Sequence, residues 1–125
     1  MSDRKLEIVT KAIHPRALDG LGCDACILLL GIACDLSGGK IEAFSMKSYF
    51  TACGSPCCIA GNLLDRLGFA AKECQDEIGD LLGSWLASDD ALARLFSGKS
   101  PSNRQLAARA IERYVFEGAD DPWGA

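Results

Sequence analysis

Apolar residues recur along most of the chain at the three-to-four-residue spacing of one face of an α-helix. The fullest example lies in the second half and carries the i, i+3, i+4, i+7, i+8 pattern, one turn after Cys74: Ile78, Leu81, Leu82, Trp85 and Leu86. No stretch alternates convincingly with period two, as a half-buried strand would. The pattern therefore predicts an all-α fold, with residues 1–125 forming one compact domain of five to six short helices.

Two further helices are indicated by residues that commonly begin and end helices. Ser55 is a predicted N-cap, with Pro56 in the first turn and Gly68 after the last. Ser88, followed by two aspartates, predicts the start of a short helix that Gly98 ends. The residues expected to face the core are Ile59, Leu63, Leu64 and Leu67 in the first of these helices, and Leu92, Leu95 and Phe96 in the second.

The last helix is predicted to begin near Ser102, which would form a capping box with Gln105, and to run to about Glu117. Its apolar face is Leu106, Ala107, Ala110, Ile111 and Tyr114.

The first half is less regular. Leu6, Val9 and Ile13 predict a helix that ends at His14-Pro15, because proline disfavours helical geometry in the residue before it. Residues 23–36 are apolar on almost every side, which favours a central buried helix over a buried strand. Residues 41–50 fit either a short helix or an extended loop.

The composition is that of a single globular domain and excludes disordered and fibrous classes. The chain has 125 residues, of which 49% are hydrophobic and 24% charged, and its net charge is −4. Its longest apolar stretch, residues 25–34, is shorter than the roughly twenty residues that cross a bilayer, and the first residues lack the core of a signal peptide. We therefore expect a cytoplasmic protein without membrane attachment.

Part of the sequence resembles a family of small hypothetical proteins from phages and prophages. Residues 44–46 (Phe-Ser-Met) and 53–61 (Cys-Gly-Ser-Pro-Cys-Cys-Ile-Ala-Gly) are similar to the family signature "FDM … CGTxxCIAGxA". The family's "LLGL" helix, "LF" motif and Ala-rich helix have counterparts at 80–83, 95–96 and 105–108. The similarity covers roughly residues 44–117, with Ser45 in place of the usual aspartate, and residues 20–40 look like a cysteine-rich addition. The family has no assigned activity, so the resemblance implies a phage origin and a host-cell cytosol, without a mechanism.

The seven cysteines suggest two alternatives, a metal site or ordinary core packing. Cys23 and Cys26 have two-residue spacing, and Cys53 with Cys57 or Cys58 would complete four thiolates around zinc. In a reducing cytosol, cysteines otherwise act as small buried hydrophobes. The sequence thus predicts no cofactor, and the spacing of the cysteines leaves a bound zinc ion as the alternative.

Thiol chemistry is the other use that the cysteines suggest. The first turn of the helix predicted after Ser55 would favour thiolates at Cys57 and Cys58. However, the single histidine, His14, lies in a different segment, so no catalytic residue is predicted. A redox pair of Cys23 and Cys26 is disfavoured by the lack of a βαβ pattern around it.

Charge is distributed unevenly and suggests two surfaces. Residues 65–90 hold seven acidic and two basic residues, and the predicted partner-binding residues are Glu73, Asp76, Glu77 and Asp80, together with Trp123 in the tail. The alternatives are an ordinary helix exterior and a tryptophan that folds back onto its own domain.

Residues 98–113 hold four basic residues and one acidic residue, and the helices on either side of residues 98–101 have helix-turn-helix proportions. Arg104, Arg109 and Arg113 are therefore candidate nucleic-acid contacts. Because the whole chain is acidic, nucleic acid is a disfavoured partner, and a solvated face or a homodimer surface is the stronger interpretation.

Motifs for phosphate loops, paired catalytic carboxylates and serine nucleophiles are absent from the sequence. The leading hypothesis is a non-enzymatic phage accessory protein that binds a host or phage protein, for example as an inhibitor of a host defence or regulatory complex. The alternatives are a zinc- or thiol-dependent domain and a DNA-binding regulator.

Overall fold

Six α-helices make up the part of the chain that the computed structural model describes, which is residues 12–41, 44–46, 58–68, 75–97 and 102–124. In chain order they are α1 (Pro15–Leu21), α2 (Cys23–Ser37), α3 (Ile59–Arg66), α4 (Gln75–Ser88), α5 (Asp90–Leu95) and α6 (Arg104–Glu117). No strand occurs in these residues, so the predicted all-α single domain is confirmed. The described part of 41–50 is not helical.

Helices α2 and α6 form the centre of the fold, and the most extensive contact between two helices joins them. The buried residues of α2 are Ala25, Cys26, Leu29, Ile32, Ala33 and Leu36, and those of α6 are Ala107, Ala108, Ala110, Ile111, Tyr114 and Val115. The small alanines of α6 let its backbone approach α2 closely. The prediction of a central helix over 23–36 is confirmed, although Cys34 is exposed.

Helix α1 was not predicted, because the His14-Pro15 pair was interpreted only as a stop. In the structure this pair begins a helix: the proline stands at its start and His14 is the N-cap, whose Nδ1 accepts from the Arg16 amide at 3.1 Å. Proline suits the first turn since its missing N–H has no partner there in any helix. Leu6 and Val9 lie outside the described residues, and Ile13 is buried.

The predicted start of α3 was wrong by three residues. The helix begins at Ile59, and its N-cap is Cys58, whose Sγ accepts from the Gly61 amide at 3.2 Å. Cys58 therefore precedes the first turn instead of lying within it. Ser55 lies outside the described residues.

The other two predicted caps are each wrong by one residue. Asp89, and not Ser88, caps α5, because its carboxylate accepts from the Ala91 amide. Asn103 caps α6, and Ser102 instead accepts from the Met46 amide at 3.0 Å. The predicted end of α6 at Glu117 is confirmed.

Most of the residues expected to face the core are buried, but Leu81 is half-buried and three other leucines are exposed. Leu67 and Leu86 are each 37% exposed and Leu106 is 48% exposed. Leu67 lies just beyond the last turn of α3, and Leu106 lies in the first turn of α6, where less of the neighbouring structure covers a side chain. The side chains of Ile78 and Leu82 are outside the described set.

Among the described helices, none is by itself long and apolar enough to cross a membrane. Helices α1 and α2 reach that length and composition only as a pair, with a bend of 105° between them.

Candidate functional site

A groove runs between α6 and the C-terminal segment that folds back beside it. Leu106, Arg109, Ala110 and Arg113 form the helical side, and residues 122–124 form the other, around a volume of about 450 Å³. Residues at i, i+3, i+4 and i+7 share one helix face, so these four side chains of α6 point the same way. We call this feature the α6–tail groove.

The tail wall of the groove is held by hydrogen bonds to its backbone. Arg113 Nη1 donates to the carbonyl of Pro122 at 3.2 Å and to that of Gly124 at 2.6 Å. The indole N–H of Trp123 donates to the Leu95 carbonyl at 3.1 Å, and its ring packs against the core. The tryptophan thus folds back onto its own domain, as one of the two sequence interpretations expected.

Two more arginines anchor the tail nearer α6. Arg94 Nη1 donates to the Asp120 carbonyl at 2.7 Å, and the Asp120 carboxylate forms an ion pair with Arg16. The chain leaves α6 through Gly118, whose φ of 60° is in the left-handed region. A Cβ at this position would lie 2.3 Å from His14 Nδ1, so glycine is also required by space.

The structure separates the three arginines predicted to contact nucleic acid. Arg104 Nε donates to the Ile41 carbonyl at 2.8 Å, away from the groove lining. Arg109 and Arg113 both line the α6–tail groove together with Trp123, which was predicted as part of a different surface. Arg109 is exposed, and among the described residues its guanidinium has no hydrogen bond or ion pair.

The predicted acidic surface is described only in part. Asp80 is exposed on α4. The backbones of Asp76 and Glu77 lie on the same helix, their side chains are outside the described set, and Glu73 is outside the described residues. The acidic surface therefore stays a prediction.

A partly buried ion pair that the sequence analysis missed joins α1, α5 and α6. Asp89, with 9% of its side chain exposed, accepts from Arg16 Nη2 at 2.9 Å, from Arg16 Nε at 3.2 Å and from the Tyr114 hydroxyl at 3.3 Å. Its carboxylate also accepts from the Ala91 amide at 3.0 Å. Arg16 and Asp89 are 73 residues apart, so no local spacing reveals the pair. The one indication in the sequence was Tyr114 on the predicted apolar face of α6, because a buried tyrosine hydroxyl needs a hydrogen-bond partner.

These contacts shift the pKa values of all the groups in the network. Burial alone would raise the pKa of Asp89, but hydrogen bonds from Arg16 and Ala91 outweigh it and lower that pKa below the ordinary aspartate value. Burial raises the pKa of Tyr114, with a further contribution from the Asp89 charge. Asp89 is thereby kept ionised and Tyr114 neutral, which suits a structural ion pair better than a proton-transfer site.

The cysteines predicted as zinc ligands are only partly described. Cys23 is half-buried, Cys26 is fully buried, and Cys58 caps α3, while Cys53 and Cys57 lie outside the described residues. Within the described ranges, no three histidine, cysteine, aspartate or glutamate side chains come together as metal ligands. The zinc site of four thiolates, formed by Cys23, Cys26, Cys53 and either Cys57 or Cys58, stays a prediction.

Comparisons of the chain with protein-family models, curated protein sequences and solved structures found no match. The resemblance to phage proteins therefore stays a prediction from the sequence.

Proposed function

We propose that the protein acts by binding another protein, and that the α6–tail groove holds an acidic segment of that partner. The observation that carries the proposal is the exposed guanidinium of Arg109, which has no partner among the described residues and stands beside apolar groove walls. A guanidinium in this position can bind a carboxylate through two parallel hydrogen bonds.

The charges favour a protein segment over a nucleic acid. Arg109 and Arg113 place two positive charges in the groove, while the whole chain has a net charge of −4. The net negative charge repels both ligands at long range, but it repels a nucleic acid, which carries a phosphate at every nucleotide, more strongly than a short acidic peptide. The third arginine of the basic segment, Arg104, is directed to a backbone carbonyl of its own chain.

The walls of the groove supply the apolar part of the interaction. Leu106 is 48% exposed at one end, and Ala110 and the half-buried Trp123 line the same space. Arginine and tryptophan are enriched at the centres of protein interfaces, where a few anchored side chains carry most of the binding free energy. We therefore expect a partner segment in which an apolar side chain lies next to a carboxylate.

The resemblance to phage proteins supplies the setting for this proposal. A phage protein made in a host cell encounters host complexes, and a small acidic helical protein can inhibit one of them by occupying its surface. We propose a host defence or regulatory protein as the partner.

The proposal is tested by the fluorescence anisotropy of a labelled twelve-residue peptide of alternating Glu and Leu, with an alternating Lys and Leu peptide beside it. We expect the protein to prefer the acidic peptide, and Arg109→Glu to weaken its binding at least about tenfold, since a charge-assisted hydrogen bond contributes about 1.5–3 kcal/mol. Lys40→Glu is the matched control, because it makes the same charge change at an exposed residue outside the groove lining.

Equal binding of the two peptides, or equal effects of the two variants, would contradict the proposal. Two parallel measurements identify other occupants. Salt-dependent binding of a 20-base-pair DNA duplex that Arg109→Glu abolishes would replace the peptide with nucleic acid. A dimer in sedimentation equilibrium that Arg109→Glu dissociates would assign the groove to a second copy of the chain.

A further inference from the structure

Cys23 and Cys26 occupy the first turn of α2, at its first and fourth positions. Side chains three residues apart lie on the same helix face, with Cβ atoms about 5–6 Å apart. A disulfide needs a Cβ separation of about 3.5–4.5 Å, so a modest tightening of this terminal turn would join the two sulfur atoms. In the structure both residues are thiols.

The two thiols differ in access. Cys23 is half-buried, whereas Cys26 is fully buried and its Sγ donates to the Ala17 carbonyl of α1 at 3.4 Å. A reagent from solvent therefore reaches Cys23 first. Cys26 is positioned to react with a group that is already attached to Cys23.

A depression opens beside Cys23 and has mostly apolar walls. Leu21, Leu67, Leu81 and Trp85 contribute to its lining, around a volume of about 430 Å³. An apolar group attached to a reacting sulfur would have a place to bind there.

We propose that Cys23 and Cys26 form a dithiol–disulfide couple that exchanges with a disulfide flanked by an apolar group, which this depression holds. In the first step the Cys23 thiolate attacks one sulfur of the substrate disulfide, so that a mixed disulfide forms and the other half leaves as a thiolate. In the second step Cys26 gives up its proton and its sulfur attacks Cys23 Sγ, which releases the remaining half. The protein loses two electrons and two protons, and the substrate disulfide gains them and becomes two thiols.

The electrostatics agree with this order of attack. Burial raises the pKa of Cys26 to about 12, with a smaller contribution from Cys23. Cys26 therefore stays a thiol at neutral pH and does not compete with Cys23 for the first attack. The second step should accelerate as the pH rises.

The test uses the full-length chain with Cys34→Ser, which removes the exposed third cysteine of tryptic peptide 17–40. The folded protein is incubated with oxidised glutathione, quenched in acid, alkylated, digested with trypsin and analysed by mass spectrometry. We expect peptide 17–40 to be about 2 Da lighter than the reduced peptide, without alkyl groups on Cys23 or Cys26. Circular dichroism before the quench confirms that the protein is folded.

Two variants on this background identify the role of each thiol. Cys26→Ser should accumulate glutathione on Cys23, because nothing releases it, and Cys23→Ser should leave Cys26 unmodified. Disulfide-linked dimers of Leu-Cys-Phe and of Gly-Cys-Gly test the depression, and the apolar dimer should react several times faster. The proposal is overturned if Cys23 keeps glutathione while Cys26 is intact, if either residue pairs with a different tryptic peptide, or if the two dimers react equally fast.

Discussion

Removing the Asp89 carboxylate should destabilise the protein more than its position at the surface end of a short helix suggests. The carboxylate caps α5 through the Ala91 amide, and it also accepts from Arg16 and from the Tyr114 hydroxyl. It thus connects α1, α5 and α6, so its removal breaks hydrogen bonds to all three helices.

The magnitude follows from the groups left without a partner. Loss of the cap costs about 1 kcal/mol. The Tyr114 hydroxyl, on a fully buried residue, loses its acceptor at a cost of about 1–3 kcal/mol. Arg16 is 30% exposed and keeps its ion pair with Asp120, so it adds little. We expect Asp89→Ala to lower the free energy of unfolding by roughly 2–4 kcal/mol, and Asp89→Asn by about half as much because asparagine is also a good cap.

The assay is urea unfolding at pH 7 followed by circular dichroism, with Asp90→Ala as the matched control. Asp90 is the exposed neighbour in the first turn of α5, and its charge contributes only about 0.3–1 kcal/mol there. In a Tyr114→Phe background, Asp89→Ala should cost about 1–3 kcal/mol less than in the wild type, since no hydroxyl is then left unpaired. Equal losses for Asp89→Ala and Asp90→Ala, or a loss that Tyr114→Phe does not reduce, would refute this reasoning.

Three further predictions concern stability. The pKa of Asp89 is lower in the folded protein than in the unfolded chain, so the stability that its carboxylate contributes is complete above the unfolded value of about 3.9 and is lost as the pH falls through the folded value. The difference in urea midpoint between wild type and Asp89→Asn should therefore shrink as the pH falls below about 4. Gly118→Ala should destabilise the protein by more than about 1 kcal/mol, because residue 118 has a positive φ and the added Cβ would clash with His14. Gly83→Ala should stabilise α4 by about 0.5–1 kcal/mol, because a Cβ there meets no described atom within 4 Å. The melting temperatures of the two variants should therefore shift in opposite directions. Because Cys58 caps α3, Cys58→Ser should leave the free energy of unfolding nearly unchanged, and Cys58→Ala should lower it by about 1–2 kcal/mol. Equal losses of stability in the two variants, together with destabilisation of the wild type by a chelator, would favour the zinc site instead.

The sequence predicted the kind of each element better than its first residue. Helical spacing of apolar side chains is a local property, which is why the helix over 23–36 and the end of the last helix at Glu117 are confirmed. Several polar residues near a helix start can cap it, and which one does depends on the backbone geometry of the turn. Cys58 and Asp89 cap their helices in the structure, although Ser55 stands three residues before Cys58 and Ser88 stands one residue before Asp89.

The candidate site could be predicted only as separate parts. Arg109 and Arg113 were identified from a basic segment, and Trp123 from the tail, but nothing in their spacing places them around one groove. Their meeting depends on the tail reversing direction at Gly118 and packing back beside α6. The pairing of Arg16 with Asp89 is equally non-local.

The arrangement of the tail bears on how tightly the groove could bind. Arginines from three helices hold the tail: Arg16 of α1, Arg94 of α5 and Arg113 of α6. The indole of Trp123 adds a fourth contact through the Leu95 carbonyl. Ordering a flexible wall costs about 0.5–1.5 kcal/mol for each side chain fixed at an interface, and here that ordering is complete before a partner arrives. If an acidic segment binds at Arg109 as proposed, its affinity would therefore not be reduced by the cost of ordering the tail. Under the proposal, this compensates for the small volume of the groove.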